Sequence, residues 1–262
     1  METILERILK QKHIEVEKLQ KLKPEKIERK PKRSLIKKLQ NADELAIIAE
    51  FKRASPSKGM INNSVEPAAQ AKVYEKYGAS AISVLTDTTF FKGSFTDLAE
   101  VREVVELPIL CKDFIIDPLQ IDQAASKGAD IILLIVAALE ESKLLELYHY
   151  ASSLDLEVLM EVHNLDEVEV AIKMGARLIG VNNRDLKTFN VMLEVTENLA
   201  SRVKESGAFL ISESGIHQQE DVNRVRKAGA NGVLVGEALM KSTDIKQAFH
   251  DFRLPIAGGL KK

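Results

Sequence analysis

Four stretches of the chain are near-copies of one another: "YGASAISVLTD", "KGADIILLIVA", "MGARLIGVNN" and "AGANGVLVGE". Each follows a helix-like segment, carries Gly-Ala near its start and then runs into apolar residues. The glycines are Gly78, Gly128, Gly175 and Gly229, spaced by 50, 47 and 54 residues. Self-similarity at a fixed period means that one supersecondary unit is used repeatedly. A glycine just past a helix suits the left-handed C′ position, from which the chain drops into a strand.

Four further apolar runs lie between these: "LAIIAEF", "LPILCKDF", "LEVLMEV" and "AFLISES". Together they predict eight strands, starting near residues 45, 81, 108, 131, 157, 178, 209 and 232. The runs are short and nearly continuously apolar, as expected when both faces of a strand are covered. Connecting segments such as "SVEPAAQAKVYEKYG" and "NLDEVEVAIKMG" show helical periodicity and acidic starts. Eight β-then-α units predict an α/β fold, a (β/α)8 TIM barrel. An open doubly wound sheet is the alternative. The even count, the repeat at every second unit and the lack of a GxGxxG loop favour the barrel. The expected organisation is a single domain over residues 1–262. Residues 1–44 form an N-terminal helical extension, with a Lys-Pro-rich link "KLKPEKIERKPKRS", and residues 45–262 form the barrel.

No apolar run approaches the ~20 residues of a membrane span, and the N-terminus lacks the apolar core of a secretory signal. The single cysteine, Cys111, excludes an internal disulfide and fits a reducing compartment, so the expected location is cytoplasmic. The net charge is only −2, but residues 1–40 hold 13 Lys+Arg against 6 Asp+Glu, which leaves −9 for the remainder. That basic segment is either a solvated helical face or a basic cover near an anionic substrate. With few aromatics and no nucleic-acid motif, no nucleic-acid partner is expected.

In a barrel of this kind the chemistry sits at the C-terminal ends of the strands. Those ends carry Glu50 and Lys52, Lys112 and Asp113, Glu161 and His163, Asn182 and Arg184, Glu213 and Ser214, and Gly236 and Glu237. Thr86 and Asp87, and Ala137 and Ala138, end the two quieter strands. Buried charge is costly unless paired, and no fold needs this many charges converging on one mouth. Lysines near carboxylates are tuned as acids, and the carboxylates as bases, by burial and mutual charge. The loops after the last two strands begin "SESGI" and "VGEAL". Gly215 and Gly236 there permit close backbone approach to a phosphate, with Ser55 and Lys52 closing the cradle from the first loop; the alternative is that these glycines only make the turn.

Other residues carry structural readings. Cys111 alternates away from Lys112, toward the helices, as a small buried hydrophobe. Asp113 alternates outward and caps or pairs. His163 shares a face with Glu161 and is read as a loop hydrogen-bonding residue. Arg53 and Lys58 are read as solvated loop charges. The histidines show no metal-ligand spacing, so no metal is expected.

With these residues in view, the chain resembles the indole-3-glycerol-phosphate synthase family of tryptophan biosynthesis. The resemblance rests on "AEFKRASPSKG", "SVLTD", "FFKGS", "LCKDFIIDPLQI", "LMEVHN", "IGVNNRDL", "SESGI" and "VLVGEALM", in that order over nearly the whole chain. It implies the barrel fold with N-terminal helices that help cover the site. It implies a carboxy-lyase that closes, decarboxylates and dehydrates 1-(2-carboxyphenylamino)-1-deoxyribulose 5-phosphate, with no cofactor. It further implies Lys112 as general acid, Glu161 as base and Lys52 as second acid, the step served by each lysine being left open. Glu50, Asn182, Arg184 and Glu213 correspond to the surrounding proton and substrate network. Ser55, Gly215, Gly236 and the backbone at Glu237 correspond to the phosphate site, and Ser214 to a substrate contact. Phe91, Phe114, Leu133 and Leu186 correspond to the walls for the anthranilate ring. The expected partner is one phosphorylated small molecule, met by a monomer with at most weak association with other tryptophan-pathway enzymes. Two positions depart from the family pattern: Leu119 where Tyr is common, and Met192 near a customary Asp.

Overall fold

The computed structural model describes residues 2–22, 33–62 and 65–256. Residues 23–32 of the expected Lys-Pro-rich link lie outside the described residues. Helix α1 (Ile4–Leu19) and the short α2 (Leu35–Gln40) precede the first strand. Then follow β1 (Ala46–Phe51), α3 (Pro67–Lys76), β2 (Ala81–Leu85), α4 (Phe95–Arg102), β3 (Ile109–Lys112) and α5 (Pro118–Ser126). The chain continues through β4 (Ile131–Ile135), α6 (Glu141–Ser153), β5 (Glu157–Val162), α7 (Leu165–Lys173), β6 (Leu178–Asn182) and α8 (Glu194–Glu205). It closes with β7 (Phe209–Glu213), α9 (Gln219–Ala228), β8 (Gly232–Val235), α10 (Glu237–Lys241) and α11 (Ile245–Phe252). A two-residue hairpin, Ala54–Ser55 against Gly59–Met60, decorates the loop after β1.

The eight strands are parallel and form a closed barrel, β1 pairing with both β2 and β8. Every strand begins within a residue of its expected start. Gly78, Gly128, Gly175 and Gly229 all take positive φ, at 95°, 93°, 75° and 116°. The helix-to-strand turns therefore demand glycine, because a side chain in that region is strained.

Alternation along the strands splits the core in two. Ile47, Ala49, Ile109, Cys111, Met160 and Ile179 pack outward against the helices. Ile48, Leu110, Leu133, Leu159, Leu178, Ile211 and Leu234 fill the barrel interior, and Leu35, Ile36 and Leu39 of α2 pack against them. Helix α2 is pinned where β5 begins: the Glu157 carboxylate accepts from the backbone N–H of Leu35 at 3.0 Å and from the hydroxyl of Ser34. The extension thus plugs the closed end of the barrel with its second helix.

Its first helix serves the other end. Lys12 of α1 is 1% exposed, and its ammonium lies 2.7 Å from Asp113 and 2.9 Å from Asp87, at the C-terminal ends of β3 and β2. Glu15 adds a third carboxylate at 2.8 Å. Burial works against the charge, but Asp113 and Asp87 override it and raise the lysine's affinity for its proton. Neither reading of the basic N-terminal segment covers this residue, which is a buried clamp. Removing one partner of a buried ion pair strands the others. Lys12→Ala is therefore expected to lower the unfolding free energy by about 3–5 kcal/mol and to raise KM. Urea titration and steady-state kinetics check this; a loss under ~1 kcal/mol, the scale of an exposed pair, would show that the clamp does not hold α1.

Candidate active site

The same alternation that buries Ile48 turns Glu50 and Lys52 inward at the end of β1. It likewise turns Lys112 inward on β3, Glu161 on β5, Asn182 on β6 and Glu213 on β7. All six line one cavity at the C-terminal end of the barrel. Register brings them together: Asn182 pairs with Glu213, Glu161 with Gly180, and Leu85 with Lys112.

Lys112 is the hub. Its ammonium donates to Glu213 at 2.6 Å and to Glu161 at 3.0 Å. Burial disfavours that charge, yet Glu161, Glu213 and Glu50 override it and hold the ammonium well above the usual lysine range. Glu161 also accepts from the Asn182 amide at 3.1 Å. Burial would raise its pKa, but Lys112, His163 and Asn182 together hold it below the usual carboxylate range. Glu213 goes the other way. Its Oε1 is buried and makes no hydrogen bond among the described residues. Burial, joined by the Glu161 carboxylate, pushes its pKa up to about 7 despite Lys112. The two carboxylates share one ammonium, so their protons belong to the group of three rather than to either residue alone.

Two glycines make room for this. A Cβ on Gly180 would stand 2.0 Å from Glu213 Oε1, and one on Gly236 2.5 Å from Glu50 Oε1. Gly236 therefore does more than shape a turn, because the Glu50 carboxylate occupies the space its side chain would need. Glu50 forms a second ion pair with Lys52 at 2.5 Å and accepts from the Ser83 hydroxyl at 3.4 Å. The site holds two cation–carboxylate centres, one around Lys112 and one at Lys52.

Ser55, Ser214, Gly215, Gly236 and Glu237 line the same cavity. Ser214 and Gly215 have φ of 65° and 83°, so the turn after β7 runs through two successive left-handed residues. Lys241 and Lys58, at 2.7 and 3.7 Å, neutralise the Glu237 side chain. Phe91 and Phe114, with ring centroids 6.0 Å apart, and Leu133 and Leu186 supply apolar wall. Arg184 reaches the cavity too, where its guanidinium donates to the Phe189 carbonyl at 3.2 Å.

Several structural readings are settled by contacts. Cys111 is fully buried, its thiol pushed up to about 12 by burial. Asp113 pairs with Lys12 and accepts from Thr86 at 2.6 Å. Arg53 is not a solvated loop charge. Its guanidinium pairs with the buried Asp97 of α4, 3.0 Å for one of two contacts, and donates to the Lys92 carbonyl at 3.3 Å. The first loop is therefore tied to the second. The departure near Met192 has a local remedy: buried Asn183 accepts from the Thr196 backbone at 3.1 Å in the first turn of α8. Its amide also donates to the carbonyls of Glu213 and Ser214, locking the end of β7 to β6.

Sequence reasoning missed Ile4, Leu5 and Ile8 of α1, which line the cavity. Their spacing along α1 is helical, but nothing local says what that face covers.

The model of the family "Indole-3-glycerol phosphate synthase" matches residues 5–252. An indole-3-glycerol phosphate synthase of Bacillus mycoides (strain KBAB4) is 52% identical over 256 residues, covering 98% of this chain and 100% of that protein. One from Bacillus cereus (strain AH820) is 53% identical over the same coverage. Among solved structures, a thiamine phosphate pyrophosphorylase from Pyrococcus furiosus superposes with a TM-score of 0.60 at 20% identity, covering 84% of this chain and 96% of that one. That likeness shows the barrel fold alone.

Proposed function

The chain belongs to the indole-3-glycerol phosphate synthase family, and from that premise we propose how its barrel mouth carries out the family's reaction. The substrate is 1-(2-carboxyphenylamino)-1-deoxyribulose 5-phosphate, and the products are indole-3-glycerol phosphate, carbon dioxide and water. The observation that carries the assignment of roles is the pair of cation–carboxylate centres, Lys112 with Glu161 and Glu213, and Lys52 with Glu50, on one cavity.

Ring closure joins the anthranilate ring carbon to the sugar's C2 carbonyl carbon. Negative charge develops on the ketone oxygen, and the Lys112 ammonium supplies the proton that makes it a hydroxyl. Carbon dioxide then leaves and the ring regains aromaticity. Before this step the Lys112 charge holds Glu161 below the usual carboxylate range, which makes it a weak base. Once Lys112 is neutral that restraint is gone, and the basicity of Glu161 rises. The first step therefore arms the second.

In the dehydration Glu161 removes a proton and Lys52 protonates the departing C2 hydroxyl, which leaves as water. Glu161 then stands 3.0 Å from a neutral Lys112, so one proton hop restores both groups. Lys52, whose side chain is 20% exposed against 13% for Lys112, is recharged from solvent. The sum is one proton taken from solvent, as the release of neutral carbon dioxide from a carboxylate requires. A Schiff-base role for Lys112 fits poorly, because its surroundings favour the ammonium over the nucleophilic amine.

The backbone at Gly215, Gly236 and Glu237, with the Ser55 hydroxyl, receives the 5-phosphate. Phe91, Phe114, Leu133 and Leu186 hold the anthranilate ring, and Ser214 and Arg184 contact the substrate between these ends. The protein acts as a single-domain monomer in the cytoplasm. The test is direct: mixing the protein with synthetic substrate yields fluorescent indole product and one carbon dioxide per turnover. Substrate consumed without indole, or a lysine adduct trapped by borohydride, would overturn the reading.

A further inference from the structure

His163 stands two residues beyond Glu161, on the same side of the chain. Its Nδ1 lies 3.0 Å from Glu167 Oε2 in the first turn of α7. Glu167 is itself held in place: the His163 backbone N–H donates to it at 2.8 Å and the Asn164 amide at 2.7 Å, while its own N–H is capped by Asn164. The ring is thereby fixed with its far nitrogen facing Glu161. That nitrogen, Nε2, is buried and makes no hydrogen bond among the described residues. It lies 3.4 Å from Glu161 Oε1, the oxygen that also accepts from Asn182.

We propose that His163 is a positioning residue for Glu161: an imidazolium fixed from behind by Glu167, which orients the base and keeps a permanent positive charge beside it. The proposal rests on Glu161 being the base of the dehydration step. It supplies something that step needs. When Lys112 has given up its proton, Glu161 is buried near the Glu213 carboxylate and has lost its ammonium neighbour. A carboxylate so placed captures a proton from solvent and stops being a base. His163 does not take part in the proton transfers, so its charge persists through both steps and keeps Glu161 ionised.

The charged groups facing the ring are Glu161 on its own strand and Glu167 on α7, with Lys112 of β3 and Glu213 of β7 beyond Glu161. Burial works against charge on the imidazole, but the neighbouring Glu161 and Glu167 carboxylates override it and push its pKa up to about 10. The imidazolium therefore outlasts the whole neutral range.

The sign of the effect is fixed. Removing a positive charge beside a carboxylate raises its pKa, so the acid limb of the kcat profile moves to higher pH. His163→Gln is expected to move that limb up by about one pH unit, the low end for a charge at this distance, so that kcat falls up to roughly tenfold at pH values below the limb and little on the plateau above it. A merely structural histidine would lower kcat or Tm and leave the limb in place. In the intact wild-type protein, the ¹⁵N shifts of the His163 ring should report both nitrogens protonated at pH 8, whether or not the variant folds. A neutral ring at pH 8, or an unmoved acid limb in His163→Gln, would overturn the proposal. Glu161→Gln separates the two ideas. If that variant keeps the acid limb, Glu161 is not the titrating base; if it loses the limb while His163→Gln does not shift it, only the role of His163 fails.

Discussion

Replacing Lys112 with Ala lowers kcat by at least ~10³-fold, within the range for a missing general acid at a site of developing negative charge, while the barrel stays folded. The expectation follows from what surrounds the ammonium. Among the described residues, Lys112 alone stands within hydrogen-bond distance of both Glu161 and Glu213, at 3.0 and 2.6 Å. Its removal takes away the proton donor for ring closure and leaves two carboxylates facing each other. Glu213, already raised to about 7, then binds a proton more tightly still. That proton offsets the lost counter-charge, so the cost falls on catalysis rather than on the fold. Circular dichroism and Tm confirm the fold, and steady-state turnover reads the loss. A variant with near-normal turnover would remove Lys112 from the role of acid.

Glu161→Gln is expected to separate the two halves of the reaction. Glutamine keeps the shape and one acceptor oxygen for Lys112, while its NH2 replaces the oxygen that accepts from Asn182, so the contact to the ammonium survives. Only the capacity to take a proton is lost. Single-turnover mixing should then show carbon dioxide released near the wild-type rate, with indole formation slower by ~10²–10⁴-fold. Equal slowing of both signals would mean that Glu161 acts in ring closure or in binding.

The strands were legible because both of their faces are buried. A run such as "IILLI" has nowhere else to go, and the positive-φ glycines that precede four of the strands fix their starts. The catalytic side chains were legible for a related reason: the alternation that buries Ile48 and Phe51 on opposite sides also dictates where Glu50 and Lys52 point. Lys12 was not legible. In "KQKHIEVEK" it looks like its solvated neighbours, and its partners Asp87 and Asp113 are remote in sequence. Only the closed barrel brings them together. Arg53 was misread for the same reason, since Asp97 lies on the next helix but one. His163 lay between these cases. Its face was readable from β5, and Glu167 four residues on was in view, but the approach of Nε2 to Glu161 depends on the bend between β5 and α7.

The division of labour between the two lysines is the centre of this mechanism, and Lys52→Met tests it most directly. Lys52 pairs with Glu50, apart from the Lys112 hub, and its assigned task is to protonate the hydroxyl that leaves. Rapid quenching of a single turnover, with carbon dioxide and indole followed together, should show carbon dioxide released at close to the wild-type rate and indole formation strongly delayed. Carbon dioxide release slowed as much as indole formation would place Lys52 in ring closure or substrate binding, and would contradict the account.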